Sequence, residues 1–333
     1  MAESQIRGLA ADYYAELLRS VGLRKKDLIS PIFVYDSSSE YLAEKNSSRE
    51  FAKVHTRDLS QHIQSIVDCG ITSVILFGVP RKRDKRGYTA LQANGVIQKS
   101  TKKIKKEFEG LIEVITDVCV CQYNLSGHCG ILRKRRNGRG ATTDNDSTLA
   151  LLADIATSHA ESGADIVAPS SMMDGQVKYI RSALDLMGFR STKIMAYSAK
   201  HASSLYSPFR MTAYYKHITN HKSIDKSSYQ VGYGNPRQVA QEVQADIQEG
   251  ADMVMIKPSL AYLDLVAMVQ EWIRIPLIVQ NVSGEYSMIK AASRRGWIDE
   301  EEWKVNCFTS MKRAGANSII SYFSLDVAKY LEA

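Results

Sequence analysis

The chain has 333 residues, with 43 basic and 36 acidic side chains, and its formal net charge is +7. Charged residues make up 24% and hydrophobic residues 44% of the sequence, a balance that excludes a disordered or low-complexity chain. No apolar run approaches the ~20 residues that span a bilayer, and the first 20 residues lack the continuous apolar stretch of a secretory signal. We therefore expect a cytoplasmic protein with no membrane partner.

The first 29 residues precede any buried strand and read as an amphipathic arm, which would pack on its own body or on a neighbouring subunit. Eight apolar, β-branched runs follow, each typical of a strand buried on both faces. They cover residues 30–36, 71–79, 111–120, 164–170, 193–199, 251–258, 275–282 and 318–324. Helical patterns lie between them, among others at residues 58–68, 148–162 and 236–249.

This alternation of strands and helices predicts an α/β fold, a (β/α)₈ TIM barrel preceded by the N-terminal arm. An open doubly wound sheet is the alternative, but no glycine-rich phosphate-binding turn follows the first strand. No internal linker is apparent. We therefore predict an arm at residues 1–29 and a single catalytic barrel at residues 30–333.

Barrel enzymes carry their chemistry at the C-terminal ends of the strands. Lys200 and Lys257 end the fifth and sixth predicted strands, where a desolvated ammonium is costly. Burial and mutual repulsion would lower the pKa of both amines, and a neutral amine can attack a carbonyl to form a Schiff base. The alternative is a structural lysine that reaches solvent or forms an ion pair.

Three of the five cysteines, Cys119, Cys121 and Cys129, lie within eleven residues. An odd number in a long chain argues against a disulfide framework. Thiolates suit Zn²⁺, and three protein ligands leave one coordination position open for catalysis. The C-x-C spacing differs from the usual C-x-x-C, so three buried or reactive thiols remain the alternative. Asp117, on the same strand face, would orient a ligand or move protons.

Polar groups at other strand ends suggest two sockets for carboxylates. Arg210, Lys226 and Gln230 follow the fifth strand, whereas the hydroxyls of Ser283 and Tyr322 end the seventh and eighth. Basic runs at residues 81–86, 102–106 and 133–139 are typical of solvated surface, or would attract acidic small molecules. They lack interleaved aromatic residues, and no nucleic-acid partner is expected.

Several segments, in order, carry a family resemblance: ITDVCVCQYNLSGHCG (115–130), GADIVAPSSMMDG (163–175), IMAYSAK (194–200), YSPFR (206–210), GADMVMIKPSLAYLD (250–264) and VSGEYSMIKAA (282–292). On these segments the chain resembles the porphobilinogen synthase family, also called 5-aminolevulinate dehydratase. The resemblance implies a lyase (hydro-lyase) of tetrapyrrole (haem) biosynthesis, which condenses two 5-aminolevulinate molecules to porphobilinogen with loss of two waters.

The resemblance also implies residue roles. Lys257 would form the Schiff base with the first substrate and Lys200 with the second, and Asp117 would assist proton transfer. Ser283 and Tyr322 would hold the first carboxylate, and Arg210, Lys226 and Gln230 the second, with Tyr197 and Tyr206 beside them. The three cysteines would bind a catalytic zinc. Family members are homo-oligomers, typically octamers, and Glu242 is our candidate ligand for an allosteric magnesium.

Some positions depart from the family pattern. Ser171 stands where the family has an aspartate, Met211 follows Arg210 in place of an aspartate, and Lys226 replaces an arginine. His201 replaces an aromatic residue, and Ser228 replaces a cysteine of a second zinc site, which we therefore do not predict. The insertion 133–140 and the lid 211–229 are also atypical. Two alternatives follow: a paralogue that condenses a related amino-keto acid in specialised metabolism, or a non-catalytic barrel scaffold.

Overall fold

The computed structural model describes residues 2–36, 53–134, 141–214 and 226–331. Eight parallel strands form a closed barrel, because the last strand pairs with the first, and the predicted (β/α)₈ fold is confirmed. In chain order they are β1 (Leu28–Tyr35), β3 (Ser73–Val79), β4 (Glu113–Val118), β7 (Ile166–Pro169), β8 (Lys193–Lys200), β9 (Met253–Lys257), β10 (Leu277–Asn281) and β11 (Ser318–Ser321).

Three short strands lie outside the barrel. β2 (Lys53–His55) pairs with the C-terminal half of β1. β5 (Ile131–Lys134) and β6 (Ala141–Asp144) form an antiparallel hairpin in the loop after β4. The hairpin carries the start of the atypical insertion, with Arg133 and Lys134 exposed; residues 135–140 lie outside the described residues, as do residues 215–225 of the predicted lid.

The helices surround the barrel. They are α1 (Ala2–Ser20), α2 (Leu59–Asp68), α3 (Val96–Glu107), α4 (Asn145–Glu161), α5 (Gln176–Leu186), α6 (Ser207–Tyr214), α7 (Pro236–Gln248), α8 (Leu263–Gln270), α9 (Ser283–Arg294), α10 (Glu300–Arg313) and α11 (Ser324–Ala328). The predicted start of α4 is three residues late, because the Asp144 carboxylate caps the helix by accepting the Ser147 N–H. Among the described helices, none is long and apolar enough to cross a membrane.

Strand alternation separates two apolar cores. Ile29, Ile75, Ile115, Met255 and Ile278 belong to the core inside the barrel. Their strand neighbours, such as Val74, Val254 and Val279, belong to the core between the barrel and the helices. Since successive side chains of a strand point to opposite faces, a polar residue two positions beyond an inner one faces the barrel mouth.

Strand β8 departs from this alternation. Ala196 pairs with Val254 and Ala199 with Ile256, so three steps along β8 match two along β9. The extra residue is a β-bulge, which reverses the facing of the residues that follow. Tyr197 still belongs to the inner core, as plain alternation requires. After the bulge, Ala199 belongs to the outer core, and Lys200 pairs with Lys257 at the mouth.

Helix α1 packs on the body of its own chain. Leu18 is fully buried, and the Tyr14 ring lies 5.7 Å from the Tyr330 ring in an edge-to-face contact. Packing on its own chain is one of the two arrangements expected for the arm, the other being packing on a neighbouring subunit. The division into an arm and a catalytic barrel stays a prediction. Strand β1 begins two residues before the proposed boundary between them.

A glycine at the start of α9 allows close packing against the segment before α6. A Cβ at Gly284 would lie 2.5 Å from both Cα and the carbonyl oxygen of Leu205, which are backbone atoms that cannot move independently. We expect Gly284→Ala to lower the free energy of unfolding by about 1–3 kcal/mol, because overpacking outweighs the roughly 1 kcal/mol that alanine gains in a helix. Denaturant titration measures this change.

Gly234→Ala is the matched control. A Cβ there would meet no atom within 4 Å, and we expect the free energy of unfolding to change by less than about 0.5 kcal/mol. Equal stability of the two variants would contradict the packing argument.

Candidate active site

A cavity opens at the C-terminal mouth of the barrel. All the residues predicted to be catalytic or to bind substrate line it, namely Asp117, Tyr197, Lys200, Tyr206, Arg210, Lys226, Gln230, Lys257, Ser283 and Tyr322. The structure therefore gathers into one space groups from three barrel strands, β4, β8 and β9, and from the segments that follow β8, β10 and β11.

The two lysine amines lie over the same aromatic ring. The Nζ atoms of Lys257 and Lys200 are 4.8 Å and 5.7 Å from the centre of the buried Tyr197 ring. Lys257 Nζ donates to Gln280 Oε1 at 2.6 Å, and Lys200 Nζ donates to the Ser170 carbonyl at 2.7 Å. Each amine thus has a neutral acceptor and the Tyr197 ring beside it, and Lys257 Nζ also lies 5.3 Å from the Tyr206 ring centre. These contacts offset part of the cost of desolvation.

Burial and, after it, the charge of Lys200 lower the pKa of Lys257 to about 7, against the opposing effect of Asp117. A substantial fraction of Lys257 is therefore neutral, and nucleophilic, near pH 7. Burial also raises the pKa of Asp117, although both lysines and a hydrogen bond from Gln122 stabilise its anion. The site thus holds an amine whose pKa is lowered and a carboxyl group whose protonated form is favoured by burial.

The three clustered cysteines are buried, and their sulfur atoms all lie within 4.8 Å of one another. Cys119 follows β4 directly and Cys121 lies in the turn that comes next, and both belong to the core inside the barrel. Hydrogen bonds from both thiols lower the pKa of Cys129 well below its usual range, and the Lys226 ammonium, 3.2 Å away, adds to the effect. These sulfurs could hold a metal ion.

The other predicted anion-binding groups have different surroundings. Ser283 accepts the Phe209 N–H of α6 at 3.0 Å and donates to the Leu205 carbonyl, just before α6, at 3.2 Å. Gln230 is buried, and its amide oxygen has no hydrogen-bond partner among the described residues. Arg210 Cζ lies 5.9 Å from the Tyr206 ring centre. The cavity therefore presents cationic, amide and hydroxyl groups that could bind an anion.

Glu242 lies apart from this site. It lines a second cavity together with Asp174, Asp246 and Glu249, and burial raises its pKa. The Tyr197 side chain lines both the cavity that contains Glu242 and the cavity that contains the two lysines.

Three of the atypical positions contact residues of the site: Lys226, which lines the cavity, Ser171 and His201. Ser171 Oγ donates to Cys119 Sγ at 3.3 Å, so a neutral side chain contacts the sulfurs where the family has an acid. His201 is fully buried and stacks on Tyr262 at 3.7 Å, and therefore keeps the packing role of an aromatic residue. Met211 is 44% exposed and is not among the residues that line the cavity.

Sequence reasoning assigned no role to three contributors. Gln280 and Ser170 supply the acceptors for the two amines. Glu285 accepts the N–H groups of Val282 and Leu260, and so ties the segment after Lys257 to the turn that presents Ser283. Gln280 and Ser170 stand at strand ends, which is a usable signal, whereas the reach of Glu285 across two loops has none in the sequence.

Fold and site together define a (β/α)₈ barrel enzyme with paired buried lysines beside a thiol cluster. A sequence model of the delta-aminolevulinic acid dehydratase family matches residues 4–330. The chain belongs to this family.

Similar proteins support the assignment along the whole chain. A delta-aminolevulinic acid dehydratase of Archaeoglobus fulgidus is 44% identical over 319 residues, which cover 95% of this chain and 94% of that protein. One from Bacillus subtilis is 40% identical, with the same coverage of both chains. A crystal structure of the Toxoplasma gondii enzyme, in complex with its reaction product porphobilinogen, has a TM-score of 0.86 and 32% identity, covering 95% of this chain and 88% of that one.

The cysteine cluster predicts metal binding that can be measured without an activity assay. We expect Cys121→Ser to reduce the metal retained after desalting by at least about tenfold, because one of three ligands is lost. Elemental analysis of the purified chain measures the ratio of metal to protein.

Cys69→Ser is the control, since Cys69 is a half-buried cysteine outside the cluster. It should retain the parent's metal. Loss of metal from both variants, or from neither, would contradict the assignment of the cluster as the site.

Proposed function

We propose that this chain condenses two molecules of 5-aminolevulinate to porphobilinogen, with loss of two waters, as a lyase of tetrapyrrole biosynthesis. The observation that carries the proposal is the pair of lysine amines over the Tyr197 ring, inside a cavity lined with carboxylate-binding groups. Two amines suit a reaction that joins two keto acids, because each can hold one substrate through an imine.

Lys257 forms the imine with the first substrate, and Lys200 with the second. The lowered pKa of Lys257 supports this assignment, because the neutral amine is the nucleophile. Asp117 assists the proton transfers that accompany condensation. It faces both lysines from β4, and burial favours its protonated form, so it can donate as well as accept.

The two substrates are distinguished by how their carboxylates are held. Ser283 and Tyr322 donate to the first through hydroxyl groups, next to Lys257. Arg210, Lys226 and Gln230 bind the second through charge-assisted and amide hydrogen bonds. Tyr197 and Tyr206 form the apolar floor, and the Tyr206 hydroxyl donates to the Lys257 carbonyl at 3.2 Å. A lysine in place of arginine at position 226 binds as a point charge rather than as a bidentate fork.

Cys119, Cys121 and Cys129 would hold a zinc ion. Three buried sulfurs within 4.8 Å of one another fit a thiolate-preferring metal that keeps one position open. When bound, zinc supplies Lewis acidity next to the second substrate. Glu242 is the candidate ligand for magnesium in the acidic cavity, where Asp174, Asp246 and Glu249 supply further oxygen atoms.

The protein works as a homo-oligomer, most simply the family's octamer, in the cytoplasm. Exposed aromatic side chains near the arm support subunit contacts: Tyr13 is 58% and Trp303 42% exposed in the single chain. The expected partner is the small-molecule substrate, without nucleic acid or membrane.

Pyrrole formation from 5-aminolevulinate tests the proposal directly. We expect colorimetric detection of product by the purified protein, loss of activity on chelation, and recovery with Zn²⁺. Lys257→Met should lower the rate by at least about 10³-fold, because covalent catalysis is lost. Lys178→Met, at an exposed position on α5, is the matched control and should retain activity. Binding of substrate without pyrrole formation would favour the diverged paralogue or the scaffold.

The pKa of Lys257 predicts a pH dependence for its imine. We expect the rate of borohydride-trapped imine formation at Lys257 to rise about tenfold per pH unit up to pH 7, where half of the amine is neutral, and then to level off. Lys200→Met should move this midpoint to higher pH, because Lys200 lowers the pKa of Lys257. A midpoint that stays unchanged in Lys200→Met would contradict the electrostatic coupling.

A further inference from the structure

Gln280 makes a close contact with the proposed nucleophile. Its amide oxygen accepts a hydrogen bond from Lys257 Nζ at 2.6 Å, and both side chains are buried in the wall of the cavity. Strands β9 and β10 pair up to Ile256 and Val279, so Lys257 and Gln280 are the next residues on each strand. Both therefore point inward, as the inner-core residues two positions before them do.

The chemistry of the contact fixes the orientation of the amide. As an ammonium, Lys257 can only donate N–H groups and the amide NH₂ cannot accept them, so that form holds the amide oxygen toward Lys257. The oxygen is the amide atom in contact with Lys257 Nζ, at 2.6 Å. The strand end that carries Gln280 is held on its other side, because Ser321 Oγ donates to Asn281 Oδ1 at 3.0 Å. The strand end that carries the Gln280 amide is therefore held in place by the neighbouring barrel strand.

Gln280 anchors the amine without adding charge. The charged or titratable groups around Lys257 are Lys200 from β8, Asp117 from β4, Cys121 beyond β4 and Glu285 from α9, together with the phenols of Tyr197 and Tyr206, whose ring centres lie 4.8 Å and 5.3 Å from its Nζ. A carboxylate in place of Gln280 would stabilise the ammonium form, which is not nucleophilic. A neutral oxygen can orient the amine and leave its lone pair available.

We propose that Gln280 is a positioning residue for the Lys257 imine: its amide oxygen holds one N–H of the amine, directs the nitrogen lone pair into the cavity, and then accepts the N–H of the protonated imine. This inference rests on the proposed function and deepens it.

Imine formation between Lys257 and 5-aminolevulinate conserves atoms and charge. The Lys257 nitrogen attacks the keto carbon of 5-aminolevulinate, the N–C bond forms, and the carbonyl electron pair moves to oxygen. One nitrogen proton is transferred to that oxygen, and one further proton is taken up as water leaves. The nitrogen keeps a single N–H and carries one positive charge in the iminium. Gln280 can accept that remaining N–H without any change of its own position.

Two substitutions at this position separate orientation from packing. Gln280→Met keeps the approximate volume and removes the acceptor, whereas Gln280→Glu keeps the shape and adds a negative charge. We expect Gln280→Met to slow borohydride-trapped labelling of Lys257 about tenfold to a hundredfold, the effect of losing a hydrogen bond to a charged group, and to change half-saturation by substrate much less. Gln280→Glu should move the pH midpoint of labelling upward by about one to three units and recover labelling at alkaline pH.

The full-length protein, loaded with zinc, is used throughout, and thermal unfolding of each variant is measured alongside. Gln244→Met, at an exposed position on α7, is the matched control and should label at the parent rate. Recovery at alkaline pH in Gln280→Glu shows that the fold is intact, so the proposal stays testable even if Gln280→Met unfolds.

The possible results distinguish a failure of the proposed function from a failure of the role assigned to Gln280. If the parent protein shows no labelling of Lys257 with 5-aminolevulinate, the proposed function fails and this inference with it. If the parent is labelled and both Gln280 variants keep its rate and pH midpoint, only the role of Gln280 is overturned. A uniform loss of labelling at every pH, in step with lowered stability, would also overturn it, because a packing role predicts that result.

Discussion

Two lysine amines share the face of one buried tyrosine at the mouth of a closed barrel. Burial makes two adjacent positive charges costly there, and the surroundings relieve this cost with neutral acceptors, aromatic rings and the carboxyl groups of Asp117 and Glu285. Burial and the charge of Lys200 nevertheless lower the pKa of Lys257 to about 7. Imine chemistry at neutral pH depends on that lowered pKa.

Electrostatic interactions favour the charged form of Cys129 in the thiol cluster, whereas they favour the neutral form at Lys257. Burial alone would keep sulfurs protonated, yet Cys129 is stabilised as a thiolate by the thiols beside it and by the Lys226 ammonium. Ser171 contributes a neutral donor to Cys119 and adds no negative charge to this crowded group. The site therefore places a region that favours anions next to one that favours neutral amines, within one cavity. Such a division suits two chemically identical substrates that must perform different roles.

Much of this arrangement was predictable from local patterns. The eight apolar runs predicted the barrel, and the rule that chemistry lies at C-terminal strand ends located Lys257 and the cysteines. Helix and strand ends were shifted by up to a few residues, as at α4, because side-chain caps rather than apolar periodicity decide where a helix begins. The contact between Ser283 and α6 was not predictable, since it joins segments about 75 residues apart that carry no matching signal.

Strand period and side-chain chemistry are local properties. The alternation that closes the barrel, the residue types that can form imines or bind a metal, and the family membership could therefore be read from the amino-acid sequence. The directions in which those groups face depend on the three-dimensional fold. The bulge in β8 turns Lys200 inward to meet Lys257, and the register of β9 with β10 places a neutral amide on the nucleophile. Register and bulges depend on how neighbouring strands pair, and this pairing is a property of the closed sheet rather than of any one segment.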